Sequence, residues 1–304
     1  MGAFLDRLRD GPTLLLDGGL GSMLLARGLA PGHAPESWNE ERPEDVTGIH
    51  RAYVEAGAEG VHTNTFGGHP ARLGRAGLAE RCEAIQGAAV RLARASGAPF
   101  VIGDVGPSGD YLPPVGRADP AEWRAGFERQ GRALAEAGPD ALHVETMSDL
   151  REALIALAAL KAAAPHLPVL VSMTFARNKR GFFTVMGNPL VASLRTLAEA
   201  GADAVGANCT LSSPDMADLA AELRAGLEVP LVVQPNAGQP QVAAVGVRYA
   251  QEPEAFAEDM ARVAALGVGA VGGCCGTDPR FIAALRARLL GPTGARSRRG
   301  PPRP

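Results

Sequence analysis

ALHVETMSDLREALIALAALKAAAPHLPVLVSMTF, from Ala141 to Phe175, reads as strand, helix, strand. Its two ends, ALHVETM (Ala141 to Met147) and PVLVSMTF (Pro168 to Phe175), are short apolar runs that finish in small or polar residues. Continuous apolar runs of this length suit strands buried on both faces, as in a parallel sheet. The middle, SDLREALIALAALKAAAP, has a helical pattern, with Ser148 placed as N-cap and Glu152 near the first turn.

The same pattern continues in both directions. LLLDGG (Leu14 to Gly19), GVHTNTF (Gly60 to Phe66) and FVIGDVG (Phe100 to Gly106) precede it, while AVGANC (Ala204 to Cys209), LVVQPNAG (Leu231 to Gly238) and GAVGGCCG (Gly269 to Gly276) follow. Amphipathic helical patterns lie between the runs, as in PEDVTGIHRAYVEAGA, where Val46, Ile49, Tyr53 and Val54 fall on one side. Four of these helices run into glycine, at EAGAE, EAGPD, EAGAD and ALGVG, consistent with left-handed C-caps. Eight βα units in a row predict an α/β fold, a single (β/α)8 TIM barrel. The rival is an open doubly wound sheet, which would carry about six strands and a phosphate-binding glycine turn after the first. Gly267 to Gly272 does match G-x-G-x-x-G. It follows a helix and runs into a strand, the reverse of the order that aims a helix N-terminus at a pyrophosphate.

With 304 residues and 46% hydrophobic content, the chain has enough material for one large domain. We expect the barrel over residues 1–290 and a disordered basic tail over 291–304, where GPTGARSRRGPPRP has almost nothing apolar to bury. A formal net charge of -3 gives no positive field for nucleic acid or an anionic membrane. The start, MGAFLDRLRDGP, lacks the apolar core of a signal peptide, and no apolar run is long enough to span a bilayer. Four cysteines are too few for a disulfide scaffold. These features together predict a soluble cytoplasmic protein with reduced thiols.

In such a barrel the active site forms at the C-terminal ends of the strands. The residues closing the runs include Asp17, Thr63, Asn64, Asp104, Glu145, Cys209, Asn236, Cys274 and Cys275. Runs six and eight lie two places apart around a closed rim, so their three cysteines can converge. Three thiolates select Zn²⁺ and leave one tetrahedral position open. A lone cysteine is more often a small buried hydrophobe, the reading given to Cys82 in the helical segment RCEAIQ. A zinc with three thiolate ligands is a weak Lewis acid for hydrolysis but well suited to a fourth thiolate, which makes alkyl transfer to sulfur the natural chemistry. Asp17 and Glu145 suit an ammonium group, and the Gly18–Gly19 turn with Thr63 can hold a carboxylate. Together they describe an amino acid bearing a thiol.

The segments LLLDGGLGSML, EAGAEGVHTNTFGG, GDVGPSG, HVETMSDLREA, GADAVGANC, PNAG and VGGCCGTDP make the chain resemble the homocysteine S-methyltransferase family, from about Leu14 to Leu289. The resemblance implies a zinc-dependent barrel that methylates homocysteine to methionine. It carries the zinc thiolates onto Cys209, Cys274 and Cys275, and the homocysteine amino group onto Asp17 and Glu145. It also puts Gly18 and Thr63 near the substrate carboxylate, and Asn236 on the metal before substrate arrives.

The motifs look closest to the homocysteine module of cobalamin-dependent methionine synthase, whose further folate- and cobalamin-binding modules do not fit in this length. The expected donor is therefore either a free onium compound (S-methylmethionine, S-adenosylmethionine or betaine) or methylcobalamin on a separate corrinoid or folate-binding partner protein. Other readings are a methyl-accepting component acting on another thiol, or a non-catalytic zinc- and thiol-binding barrel. Trp38 is a candidate for an onium charge. RNKRGFFTVMGNP, residues 177–189, departs from the family pattern and is read as a rim loop serving as lid or docking surface. Oligomeric state is not legible.

Overall fold

In this computed structural model residues 2–242 and 247–290 are described; the expected tail at 291–304 lies outside them. Each sequence run contributes one barrel strand. They are β1 (Leu14–Leu15), β2 (Gly60–His62), β3 (Phe100–Val105), β4 (Ala141–Met147), β5 (Val169–Met173), β6 (Ala204–Ser212), β7 (Leu231–Asn236) and β8 (Ala270–Val271). All neighbouring pairs run parallel, in the order β1, β8, β7, β6, β5, β4, β3, β2. The ring closes between β1 and β2 through a Leu16–Gly60 bridge and a 3.0 Å bond from Asp17 N–H to the Gly60 carbonyl.

Period-two alternation along the strands builds two shells. Outward residues such as Val61, Val101, Leu142, Val171, Val205 and Val233 join the main core under the helices. Inward residues Leu14, Leu16, Ile102, Ala141, Leu170, Ala204, Val232 and Ala270 form a separate floor, closed from below by Phe4, Leu5 and Leu8 of the helix Ala3–Asp10. Large and small residues alternate around this floor: Leu16, Gly60, Ile102, Ala141, Leu170, Ala204, Val232, Ala270. A barrel of eight strands has no room for eight large side chains at one level; a Cβ on Gly60 would lie 2.8 Å from Leu16 Cδ2.

The next inward positions, two residues along, are His62, Asp104, His143, Ser172, Gly206, Gln234 and Gly272, and beyond them come Glu145, Asn208, Asn236 and Cys274. The interior therefore passes from an apolar floor to a polar mouth within two steps of the alternation.

The glycines predicted to end helices, Gly57, Gly138, Gly201 and Gly267, all have positive φ. The N-cap of helix Leu150–Ala163 is Asp149, not Ser148: its carboxylate accepts from Arg151 N–H at 2.9 Å. The ionised acceptor makes the stronger cap, and the Ser148 hydroxyl instead pairs with the Tyr111 hydroxyl at 3.3 Å. The expected loop at 177–189 begins as an antiparallel hairpin, Ala176–Asn178 with Gly181–Phe183. Arg177 ties that hairpin to Asp215 and Asp218 of helix Ser213–Gly226, and Phe182 is buried in the core. Among the described residues no helix is long and apolar enough to cross a membrane.

Candidate metal centre and substrate pocket

The sulfurs of Cys209, Cys274 and Cys275 lie within 4.8 Å of one another, with Cys209 and Cys275 3.9 Å apart. Local backbone detail brings them there. After Asn208 the pairing of β6 with β7 loses register, and Cys209 and Thr210 take left-handed φ of 59° and 53°, which costs a non-glycine residue about 1–3 kcal/mol. The break turns Cys209 toward the mouth. Cys274 and Cys275 do not lie in a strand, because β8 ends at Val271; they sit in the turn that follows. Cys274 N–H donates to Pro235 O at 2.8 Å, and Cys275 O accepts from Ala237 N–H at 3.0 Å. These two bonds bracket Asn236, whose buried Oδ1 has no hydrogen-bond partner. The first loop packs on the same turn: a Cβ on Gly19 would lie 2.6 Å from Cys274 O.

Three thiols this close cannot all ionise on their own. Hydrogen bonds from Cys209 and Cys274, with a further one from Tyr249, pull Cys275 down to about 3. Cys274 is pushed well up by its bonds to Cys209 and Cys275 and by burial. A bond from Cys274 lowers Cys209, but its bond to Cys275 and burial outweigh this and carry it to about 11. The trio is thus one thiolate cradled by two thiols, an arrangement that a thiophilic cation would replace.

Glu145 stands at the mouth, partly exposed, and accepts from Asn208 Nδ2 at 2.6 Å. Burial pushes its pKa up, against the opposing charge of His62. Asp104 is hydrogen-bonded to Glu145 and raised well above the carboxylate range, by burial first and Glu145 second. Asp17 is buried: Oδ2 accepts from the His62 backbone N–H at 2.8 Å and Oδ1 contacts His62 Nδ1 at 2.7 Å. Gly18 has no space for a side chain, since a Cβ would lie 2.6 Å from Thr277 Oγ1. Thr63 is fully buried, its Oγ1 accepting from Asp104 N–H at 3.0 Å and pairing with Thr65 Oγ1 at 2.6 Å.

Trp38 is buried and carries the Arg42 guanidinium 4.2 Å above its ring, so its face is taken. Cys82 is buried against Leu73 and Ile85. A cavity of about 470 Å³ is lined by Thr146, Thr174 and Thr210, the last adjacent in sequence to Cys209, together with Arg72, Arg75 and Tyr111.

Sequence reasoning passed over His62, His143, Asn208 and Tyr249 as site residues. The first three stand on the inward ladder, so the alternation within HTNTF, ALHVETM and AVGANC was the signal available.

The chain matches the family model described as homocysteine S-methyltransferase over residues 14–289. It is 34% identical to a methionine synthase of Mycobacterium tuberculosis over 90% of this chain but only 24% of that protein. Thus the chain spans about a quarter of the length of the mycobacterial methionine synthases it matches. It is 32% identical to a homocysteine S-methyltransferase of Escherichia coli, over 90% of this chain and 94% of that one. The crystal structure of the homocysteine methyltransferase MmuM from Escherichia coli in its metallated form superposes with a TM-score of 0.76 at 30% identity, covering 92% of this chain and 97% of the other.

Proposed function

Because the chain belongs to the homocysteine S-methyltransferase family, we propose that it moves a methyl group onto the sulfur of homocysteine, giving methionine, with Zn²⁺ held by Cys209, Cys274 and Cys275. The observation that carries this reading is the convergence of three sulfurs at the barrel mouth. Sulfur donors favour zinc over hard cations, and the unpartnered Oδ1 of Asn236 suits the position a substrate thiol later takes. When bound, the ion supplies an open position at which a thiol loses its proton near neutral pH and stays nucleophilic.

The protein's own groups do the rest. Asp17 and Glu145 take the ammonium group of homocysteine, with Gly18 and Thr63 at its carboxylate side. This fixes the sulfur at the three-cysteine corner, and the oriented pair then reacts as if unimolecular. The sulfur attacks the methyl carbon in line as the donor's bond to that carbon breaks. The electron pair leaves with the donor, and the thiol proton has gone to solvent. No side chain is needed as general base.

The donor enters through the threonine-lined cavity. It is an onium compound such as S-methylmethionine, S-adenosylmethionine or betaine, or else methylcobalamin on a separate corrinoid protein. The second option draws on the likeness to methionine synthases, of which this chain spans about a quarter. The expected location is the cytoplasm.

The deciding experiment measures methionine formation by zinc-loaded protein with each onium donor and then with methylcobalamin. Turnover with any of them supports the reading. Bound zinc and bound homocysteine with no turnover on any donor would leave a non-catalytic thiol-binding barrel.

A further inference from the structure

Directly above the apolar floor, four buried side chains from four elements form one hydrogen-bonded string. His62 Nδ1 meets Asp17 Oδ1 at 2.7 Å, His62 Nε2 meets His143 Nδ1 at 2.9 Å, and His143 Nε2 meets Ser172 Oγ at 2.8 Å. None of these four side chains is more than 6% exposed. The string crosses the barrel from the end of β1 through β2 and β4 to β5. Neither its histidines nor its serine has a role in the methyl-transfer reading above.

We propose that His62, backed by His143 and Ser172, is the positioning residue that fixes the Asp17 carboxylate for the substrate's ammonium group, and so sets the preference for an amino-acid thiol over a plain thiol. This rests on the reading of Asp17 as an ammonium ligand.

The geometry supports it in three ways. First, the grip is two-pointed: the His62 backbone N–H takes Oδ2 at 2.8 Å while the ring takes Oδ1. Two donors from one residue hold the plane of the carboxylate, and each oxygen keeps a second lone-pair direction for an incoming N–H.

Second, the string is satisfied in either direction. If His62 is doubly protonated, it donates to both Asp17 and His143, and His143 donates to Ser172. If His62 is neutral, Ser172 donates to His143, which donates to His62 Nε2. Both patterns leave a proton on Nδ1 facing Asp17. Burial opposes charge on His62, but Asp17 and Glu145 outweigh it and raise its pKa, while burial and His62 hold His143 well below its usual value.

Third, the contrast with His50 is informative. That histidine is equally buried, its two ring nitrogens have no partner, and burial lowers it to about 4. Histidines inside this molecule are therefore not paired as a matter of course. A buried polar string is generally no more stable than apolar side chains of the same volume, and this one ends on a carboxylate at the pocket.

The test is calorimetric binding of homocysteine and of 4-mercaptobutanoate, which lacks the amino group, to zinc-loaded protein. The variants are His62→Leu, His62→Asn and Asp17→Asn. His62→Leu is expected to weaken homocysteine by about tenfold or more and to leave 4-mercaptobutanoate and the zinc content unchanged. His62→Asn keeps a donor near the Nδ1 position and restores most of the loss. Should the leucine variant not fold, His62→Gln, whose donor sits toward Nε2, reproduces the loss. Equal weakening of both thiols, or of neither, by the His62 variants while Asp17→Asn discriminates between them would overturn the role of His62 alone. If Asp17→Asn also treats the two thiols alike, the reading of Asp17 fails and the proposal with it.

Discussion

Asn208 Nδ2 donates to Glu145 Oε2 at 2.6 Å, so a residue adjacent to Cys209, the proposed zinc ligand, holds the acid proposed to take the substrate amine. The same amide donates to Thr146 Oγ1 at 2.7 Å and accepts from Thr146 N–H at 2.8 Å. Thr146 and Cys209 both have φ of 59°, at irregularities in β4 and β6. One side chain thus stitches two strained strand ends together and couples the sulfur corner to the ammonium pocket.

Asn208→Ala removes the three hydrogen bonds to Glu145 and Thr146 and a longer one to Cys274 Sγ at 3.9 Å, and leaves Glu145 without its amide donor. We expect a stability loss of about 2–4 kcal/mol and about tenfold to hundredfold weaker zinc binding. Urea unfolding and chelator competition measure the two. An unchanged zinc affinity would mean that the seam is independent of the sulfur corner.

Replacing Cys209, Cys274 or Cys275 by alanine leaves two sulfurs, too few for a closed site. Bound zinc per chain, read by atomic emission on dialysed protein, should fall close to none, and methyl transfer should vanish with it. A single-cysteine variant that keeps full zinc and full activity would remove that cysteine from the ligand set.

Zinc binding should be strongly pH-dependent. Cys275 is lowered to about 3 and already a thiolate at neutral pH, whereas Cys209, at about 11, and Cys274, also raised, still hold protons. A metal binding here must displace the protons those thiols hold, so affinity should rise with pH around neutrality and weaken as acid restores the thiols. Chelator competition at three pH values around neutrality gives the slope. A flat profile would contradict the one-thiolate, two-thiol description.

Asp17→Asn keeps the shape at the end of β1 but removes the carboxylate proposed to face the substrate amine. A lost charge-assisted hydrogen bond is worth about 1.5–3 kcal/mol, or roughly tenfold to hundredfold in homocysteine affinity, with zinc content unchanged. Unaltered affinity would exclude Asp17 from the ammonium pocket.

Gly206→Ala tests the frame that holds the site. A Cβ there would lie 1.8 Å from the Val232 carbonyl oxygen, so β6 and β7 could not keep their register. We expect the variant to be insoluble or to unfold at much lower denaturant than the parent. Near-parent stability would show that the inward layer at this level is looser than the structure indicates.

The barrel was legible in the sequence because it is written in short-range terms. Eight continuous apolar runs each finish in small or polar residues, and glycines such as Gly57 and Gly138 stop helices where only a left-handed residue can follow. The cysteine trio was legible for a related reason: once runs six and eight are rim neighbours but one, Cys209 and the Cys274–Cys275 pair must face each other. Local chemistry and strand count together determined the fold and the corner where the three sulfurs meet.

Which polar residues talk to one another was decided only by the folded barrel. His62 and His143 are 81 residues apart, and each alone reads as one histidine in an apolar strand. Their meeting depends on register and on which side of each strand turns inward, neither of which a single run contains. The same holds for Asn208, whose reach to Glu145 and Thr146 follows from two strand irregularities that no composition announces. Side-chain pairing across a barrel is a property of closure, and closure exists only when all eight strands are in place.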